Sequence, residues 1–138
     1  MDDQPTIDSP ISLEQIDALL PFLAFFEEEN PSFGEYHISP GQLGYFVESK
    51  SVSAFIKALY DHEWIVPFDW EPWWKQARRF VESPDRLTNA DAGTIRRLLT
   101  IHVRMDRFCE GHLATVMKDG HILALLRRLK EIRKEGQI

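Results

Sequence analysis

Apolar residues recur along this chain mostly at intervals of three and four, the period of helices that bury one face. The first stripe, Ile16, Leu19, Leu20 and Leu23, follows Ser12 and Gln15, which stand three apart as the two halves of a capping box. Pro21 lies inside that stripe. It has no amide hydrogen and its ring crowds the preceding turn, so it is expected to kink or divide the helix. The run Glu27-Glu28-Glu29-Asn30-Pro31 closes the segment, with acids where the helix dipole opposes them.

Residues 31–49 carry Pro31, Gly34, Pro40, Gly41 and Gly44 and read as a loop, with at most a short extended piece near residues 44–48. A second helix is expected behind Ser51, with Val52, Phe55, Ile56 and Leu59 on one face. A turn runs through Pro67. Asp69 is the expected cap of a third helix starting at Trp70, with Pro72 tolerated in its first turn, and Ser83-Pro84-Asp85 ends it. A fourth helix begins at Asn89 or Asp91 and is expected to reach about Cys109, where Gly111 interrupts it. His112–Lys118 is a short helix ended by Asp119-Gly120, and residues 122–134 form the last. The pattern predicts an all-α, compact single domain of five to six helices over residues 12–138, preceded by an acidic tail at residues 1–11.

Length agrees, since 138 residues suit one domain with a sizeable core. A lone cysteine permits no internal disulfide, and the acidic N-terminus lacks the basic and apolar regions of a signal peptide. The expected location is therefore the cytoplasm. The longest apolar run, Ala18 to Phe26, is broken by Pro21 and falls short of the roughly 20 residues a membrane span needs, so no membrane partner is expected. The net charge of −6 conceals an asymmetry. Of 22 carboxylates ten lie in residues 1–49, which hold no Lys or Arg, so residues 50–138 set 16 bases against 12 acids, a net of +4. Arg127, Arg128, Lys130, Arg133 and Lys134 crowd the end of the last helix, where its dipole favours cations without any polyanion. An overall pI near 5.3 argues against nucleic acid as partner.

The densest chemistry lies in Arg104-Met105-Asp106-Arg107-Phe108-Cys109-Glu110-Gly111-His112. Helical phasing puts Asp106 and Cys109 on the apolar face with His102, and turns Arg104 away. A buried Asp106 either fixes how helices dock, accepting an amide of the Gly111 turn, or forms an acid–base pair with His or Glu beside an arginine anion clamp. The catalytic candidates on the second reading are Asp106, Arg107, Glu110 and His112. Asp106, Cys109, His112 and His121 are of types zinc accepts, but paired ligand spacings are missing and no cofactor is called for. A second cluster, Trp64, Phe68, Trp70, Trp73 and Trp74, holds every tryptophan. It is either core packing or a stacking platform beside Lys75, Arg78 and Arg79, with Trp70, Trp73, Arg104 and Arg107 as ligand-binding candidates.

The strings Phe68-Asp69-Trp70-x-x-Trp73 and Arg104-x-Asp106-Arg107-Phe108-Cys109-Glu110-Gly111-His112-Leu113-Ala114, with Gly120-x-Ile122 and Leu126-x-Arg128-Leu129, resemble a family of small, mainly bacterial proteins of unknown function. The resemblance covers roughly residues 52–130. It implies that both clusters belong to one domain, and it carries no activity with it. The leading reading is a non-catalytic binding module that joins the tryptophan segment to the Arg104–His112 knot, with a protein or a small phosphate-bearing ligand as partner. The alternative is a small enzyme acting on a phosphate-bearing, nucleotide-like substrate, and a weaker one is nucleic-acid binding through the basic last helix.

Overall fold

The computed structural model describes residues 5–136. Residues 1–4 of the expected tail lie outside that range. The capping box forms as expected. Ser12 Oγ accepts the Gln15 amide at 3.2 Å, and the Gln15 side chain accepts the Ser12 amide at 2.9 Å. Pro21 divides the helix behind it: α1 is Leu13–Leu19, a 3-10 turn follows over Leu20–Phe22, and α2 is Leu23–Phe26.

The glycine-rich stretch forms a hairpin, of which only the second strand has a sequence signal. Strand β1 (Gly34–His37) pairs antiparallel with β2 (Tyr45–Glu48), Glu35 opposite Val47. Helix α3 (Lys50–Asp61) is capped by Ser49 rather than Ser51, because Ser49 holds the extended backbone from which its side chain accepts the Val52 amide. Asp69 does not cap the next helix. The chain first makes a 3-10 turn over Glu71–Trp73, with Pro72 in its opening positions, and α4 (Trp74–Glu82) continues from it. A 3-10 segment over Pro84–Asn89 precedes α5 (Ala92–Met105), which Asp91 caps through the Thr94 amide at 2.8 Å. Helices α6 (His112–Lys118) and α7 (His121–Glu135) complete the fold. The described residues hold seven α-helices, one above the expected range, because Pro21 makes two of the first.

Helices α5 and α7 supply the centre. Ile95, Leu98, Leu99 and Ile101 of α5 and Ile122, Leu125, Leu126 and Leu129 of α7 are fully buried, and α7 packs on α1, α2, α5 and α6. Arg96, Thr100, His102 and His121 are the polar residues buried in this interior among the described residues, and Arg96 makes the most hydrogen bonds of the four. Arg96, 1% exposed, donates from Nε and Nη2 to the Glu63 carbonyl and from Nη1 to the Thr6 and Ser9 carbonyls. Glu63 takes a left-handed φ of 62° to present that carbonyl. Over residues 6–11, then, the expected tail lies on the domain: Thr6 and Ser9 bind Arg96, Asp8 pairs with Arg97, and Ile11 is buried. No helix among the described residues is long and apolar enough to cross a membrane.

Candidate functional site

The knot of ionisable groups lies between α5 and α6, and α5 stops sooner than its apolar pattern suggests. Asp106 is the C-cap, and the amides of both Phe108 and Cys109 turn back to the Met105 carbonyl. Helical phasing therefore ends at residue 105. Two expectations are corrected by this. Cys109 is exposed rather than on the buried face, and Asp106 is only partly buried rather than central to the stripe. Gly111 has a φ of 88° and offers no side chain to cap α6, so Asp106 Oδ1 takes that role, accepting the Leu113 amide at 3.0 Å. The docking role considered for Asp106 is thus the contact it makes.

The other members of the knot diverge. Arg104 is partly buried. Arg107 is exposed, and its guanidinium reaches no nearer than 3.5 Å to the Tyr60 hydroxyl. Glu110 crosses to the hairpin, where Oε1 accepts the Phe46 amide at 2.8 Å. The register explains that bond. Ser49 donates to the Phe33 carbonyl, so residues 35 and 47 also form a bonded pair and the Phe46 amide points away from β1. Glu110 satisfies it. Only His112 turns inward, and it meets a group that no spacing in the sequence brings together.

Three histidines from the three C-terminal helices pack together. His102 Nδ1 lies 3.0 Å from His112 Nε2, with the rings stacked at 5.3 Å, and His121 sits edge-on to His102 at 4.9 Å. His102 and His121 are 1% and 4% exposed, and His102 Nε2 and both His121 nitrogens are buried without a protein partner. Burial pushes all three pKa values down, His102 well below its ordinary value and His121 to about 4. The nearby Asp106 partly opposes this at His112, as Asp119 does at His121. All three rings are therefore neutral near pH 7. The helical phase of His102 signalled its burial, but its neighbours follow from two left-handed glycines, Gly111 and Gly120, which turn α6 and α7 back across α5.

His102 and His112 line a cleft of about 210 Å³ with Trp74, Arg78, Val81, Glu82, Thr115, Val116 and Asp119. Of the four catalytic candidates His112 alone lines it, while Asp106 borders a separate crevice of about 10 Å³. The four metal candidates are not brought together, and no group of three or more His, Cys, Asp or Glu among the described residues is placed to hold a metal ion. The tryptophans are mainly packing. Trp64 is fully buried and donates from Nε1 to the Gln15 carbonyl. Trp70 and Trp73 are partly buried, Trp70 against Phe108 and Trp73 beneath the Arg97 guanidinium. On the basic last helix Arg127, Arg128 and Arg133 pair with Glu27, Glu131 and Asp17.

The large hydrophobics left most exposed lie elsewhere. Tyr36, Ile38, Leu43, Tyr45 and Val47 belong to the hairpin and its loop, and Phe108, 75% exposed, belongs to the turn that Glu110 ties to it.

Fold and site together define a small helical domain with an exposed two-stranded hairpin and a cleft lined in part by His102 and His112. The chain belongs to a family of unknown function, DUF6508, which matches residues 11–135. The match takes in the N-terminal third, beyond the span of residues 52–130 that carries the sequence resemblance. No curated protein and no solved structure matches the chain.

Proposed function

We propose that this domain is a non-catalytic protein-binding module whose contact surface is the hairpin together with the Phe108 turn. One observation carries the reading: of the seven large hydrophobic side chains left exposed among the described residues, five belong to the hairpin and its loop and a sixth, Phe108, to the turn tied to it, with Tyr60 of α3 the exception. Aromatic side chains presented on a rigid frame are efficient anchors, since they bring area at small entropic cost. Glu110 supplies the frame by fixing β2 to the α5–α6 turn. This places part of the ionisable knot and one end of the tryptophan segment beside the contact surface, through the Phe108–Trp70 pair.

A photo-crosslinking residue placed at Leu43, compared with one at the exposed Lys57 of α3, tests the proposal in cell extract. Leu43 is expected to yield one dominant adduct that disappears in a folded Tyr45→Ser, Phe108→Ser variant. The same adducts from both positions, or an adduct indifferent to those substitutions, would remove the basis for this function.

A further inference from the structure

The cleft between α4 and α6 is independent of the hairpin surface, and its chemistry is specific enough to name a ligand class. The starting point is the His102–His112 bond. A neutral imidazole carries one N–H, so one ring donates and the other accepts. If His112 Nε2 donated, His102 would carry its hydrogen on Nε2, leaving a buried donor with no protein acceptor. If His102 Nδ1 donates, its Nε2 is a bare acceptor, which costs less to leave unpaired. The second arrangement is favoured, and it leaves the His112 hydrogen on Nδ1. His112 is only partly buried and lines the cleft, so this N–H is the donor that the histidine pair can offer a ligand.

The rest of the cleft sets the ligand's shape and charge. Trp74, whose ring lies 5.7 Å from that of His112, and the side chains of Val81 and Val116 make an apolar wall. The rim cation is offset: Arg78 lies 3.7 Å from Glu82, and Asp119 adds a second carboxylate. With one exposed arginine set against two carboxylates, the rim is net negative and disfavours an anion such as phosphate. A volume of about 210 Å³ holds one or two rings.

We infer that this cleft binds a small, uncharged heteroaromatic ring that stacks on Trp74 and accepts the His112 Nδ1 hydrogen with a ring nitrogen or a carbonyl oxygen. Adenine and nicotinamide are suitable probes, with inorganic phosphate and benzoate as anionic controls. Ring ¹⁵N resonances of the histidines and the Trp74 indole signal are followed through a titration of the intact protein. At least one of the two heterocycles is expected to shift the His112 Nδ1 and Trp74 resonances with millimolar or tighter affinity, and the anions are not. Thr115→Trp, at an exposed rim position, is expected to abolish the shifts, and His112→Ala to weaken binding at least about tenfold. Should His112→Ala fail to fold, Thr115→Trp and the nitrogen shifts still decide the matter. Silence from both heterocycles, equal binding of phosphate, or shifts that survive Thr115→Trp would each overturn the inference.

Discussion

Arg96 shows most sharply what one residue does in this fold. Its buried guanidinium meets three backbone carbonyls and no carboxylate, so it acts as a bracket between the N-terminal segment, the turn after α3, and α5. Arg96→Ala is expected to cost about 3 kcal/mol or more in urea unfolding, since it leaves those carbonyls unpaired around a new cavity. Arg96→Lys should recover only part of this, because an ammonium cannot span a planar fork's acceptors. His121 supplies a second residue-scale test. Its pKa falls from 6.5 to about 4 on folding, so between those values the unfolded chain binds more protons than the folded one. Above pH 6.5 the group is neutral in both states and costs nothing, and the fold loses stability progressively as pH falls toward 4 and the unfolded chain takes up the proton. The loss amounts to about 3 kcal/mol for this residue alone. His102, shifted in the same direction, steepens it. A His121→Phe variant that folds should show a shallower decline in urea midpoint over that range, and an unchanged decline would contradict this account.

Among the elements, α6 and the hairpin depend on side chains borrowed from the turn between α5 and α6. Helix α6 begins at a glycine and takes its amide acceptor from Asp106, so Asp106→Ala is expected to cost about 1–2 kcal/mol in urea unfolding, whereas Asp106→Asn should retain most of the cap. Glu110→Ala removes the acceptor for the Phe46 amide. It should speed hydrogen exchange at Phe46 and its neighbours in β2 while changing global stability by only about 1 kcal/mol. Gly34→Ala should loosen the same strands more severely, because φ there is +147° and an added Cβ would run into the Val47 carbonyl oxygen. These elements also show how far local signals reach. Ser12 with Gln15, Pro21, Asp91 and Gly120 each act within one turn, so their effects are legible in the sequence alone. Strand β1 has no such signal, since an isolated four-residue strand is defined by its partner rather than by its composition. The extension of α5 to Cys109 fails for a related reason. The apolar phase of the sequence persists past Met105, but the backbone has already turned back to the Met105 carbonyl.

For the molecule as a whole, α7 is the common support. Because it packs on helices from both ends of the chain, Leu126→Ala is expected to lower the urea midpoints seen by tryptophan fluorescence and by far-ultraviolet circular dichroism together, at a cost of about 2–5 kcal/mol. Separate midpoints would show that the N-terminal and C-terminal helices unfold independently. The sequence by itself determined that the chain is one mostly helical domain, which faces its helices bury, and where several of them begin and end. Those are consequences of hydrophobic period, caps, proline and glycine, which act over a few residues. Only the tertiary structure decided the site. His102, His112 and His121 stand about ten residues apart with no local reason to meet, and two glycine turns bring their rings into contact. Arg107, Glu110 and His112 are close neighbours along the chain, yet Arg107 faces solvent, Glu110 supports the hairpin and only His112 enters the cleft. Proximity along a chain fixes side-chain direction only while the helix lasts, and here the helix ends inside the cluster.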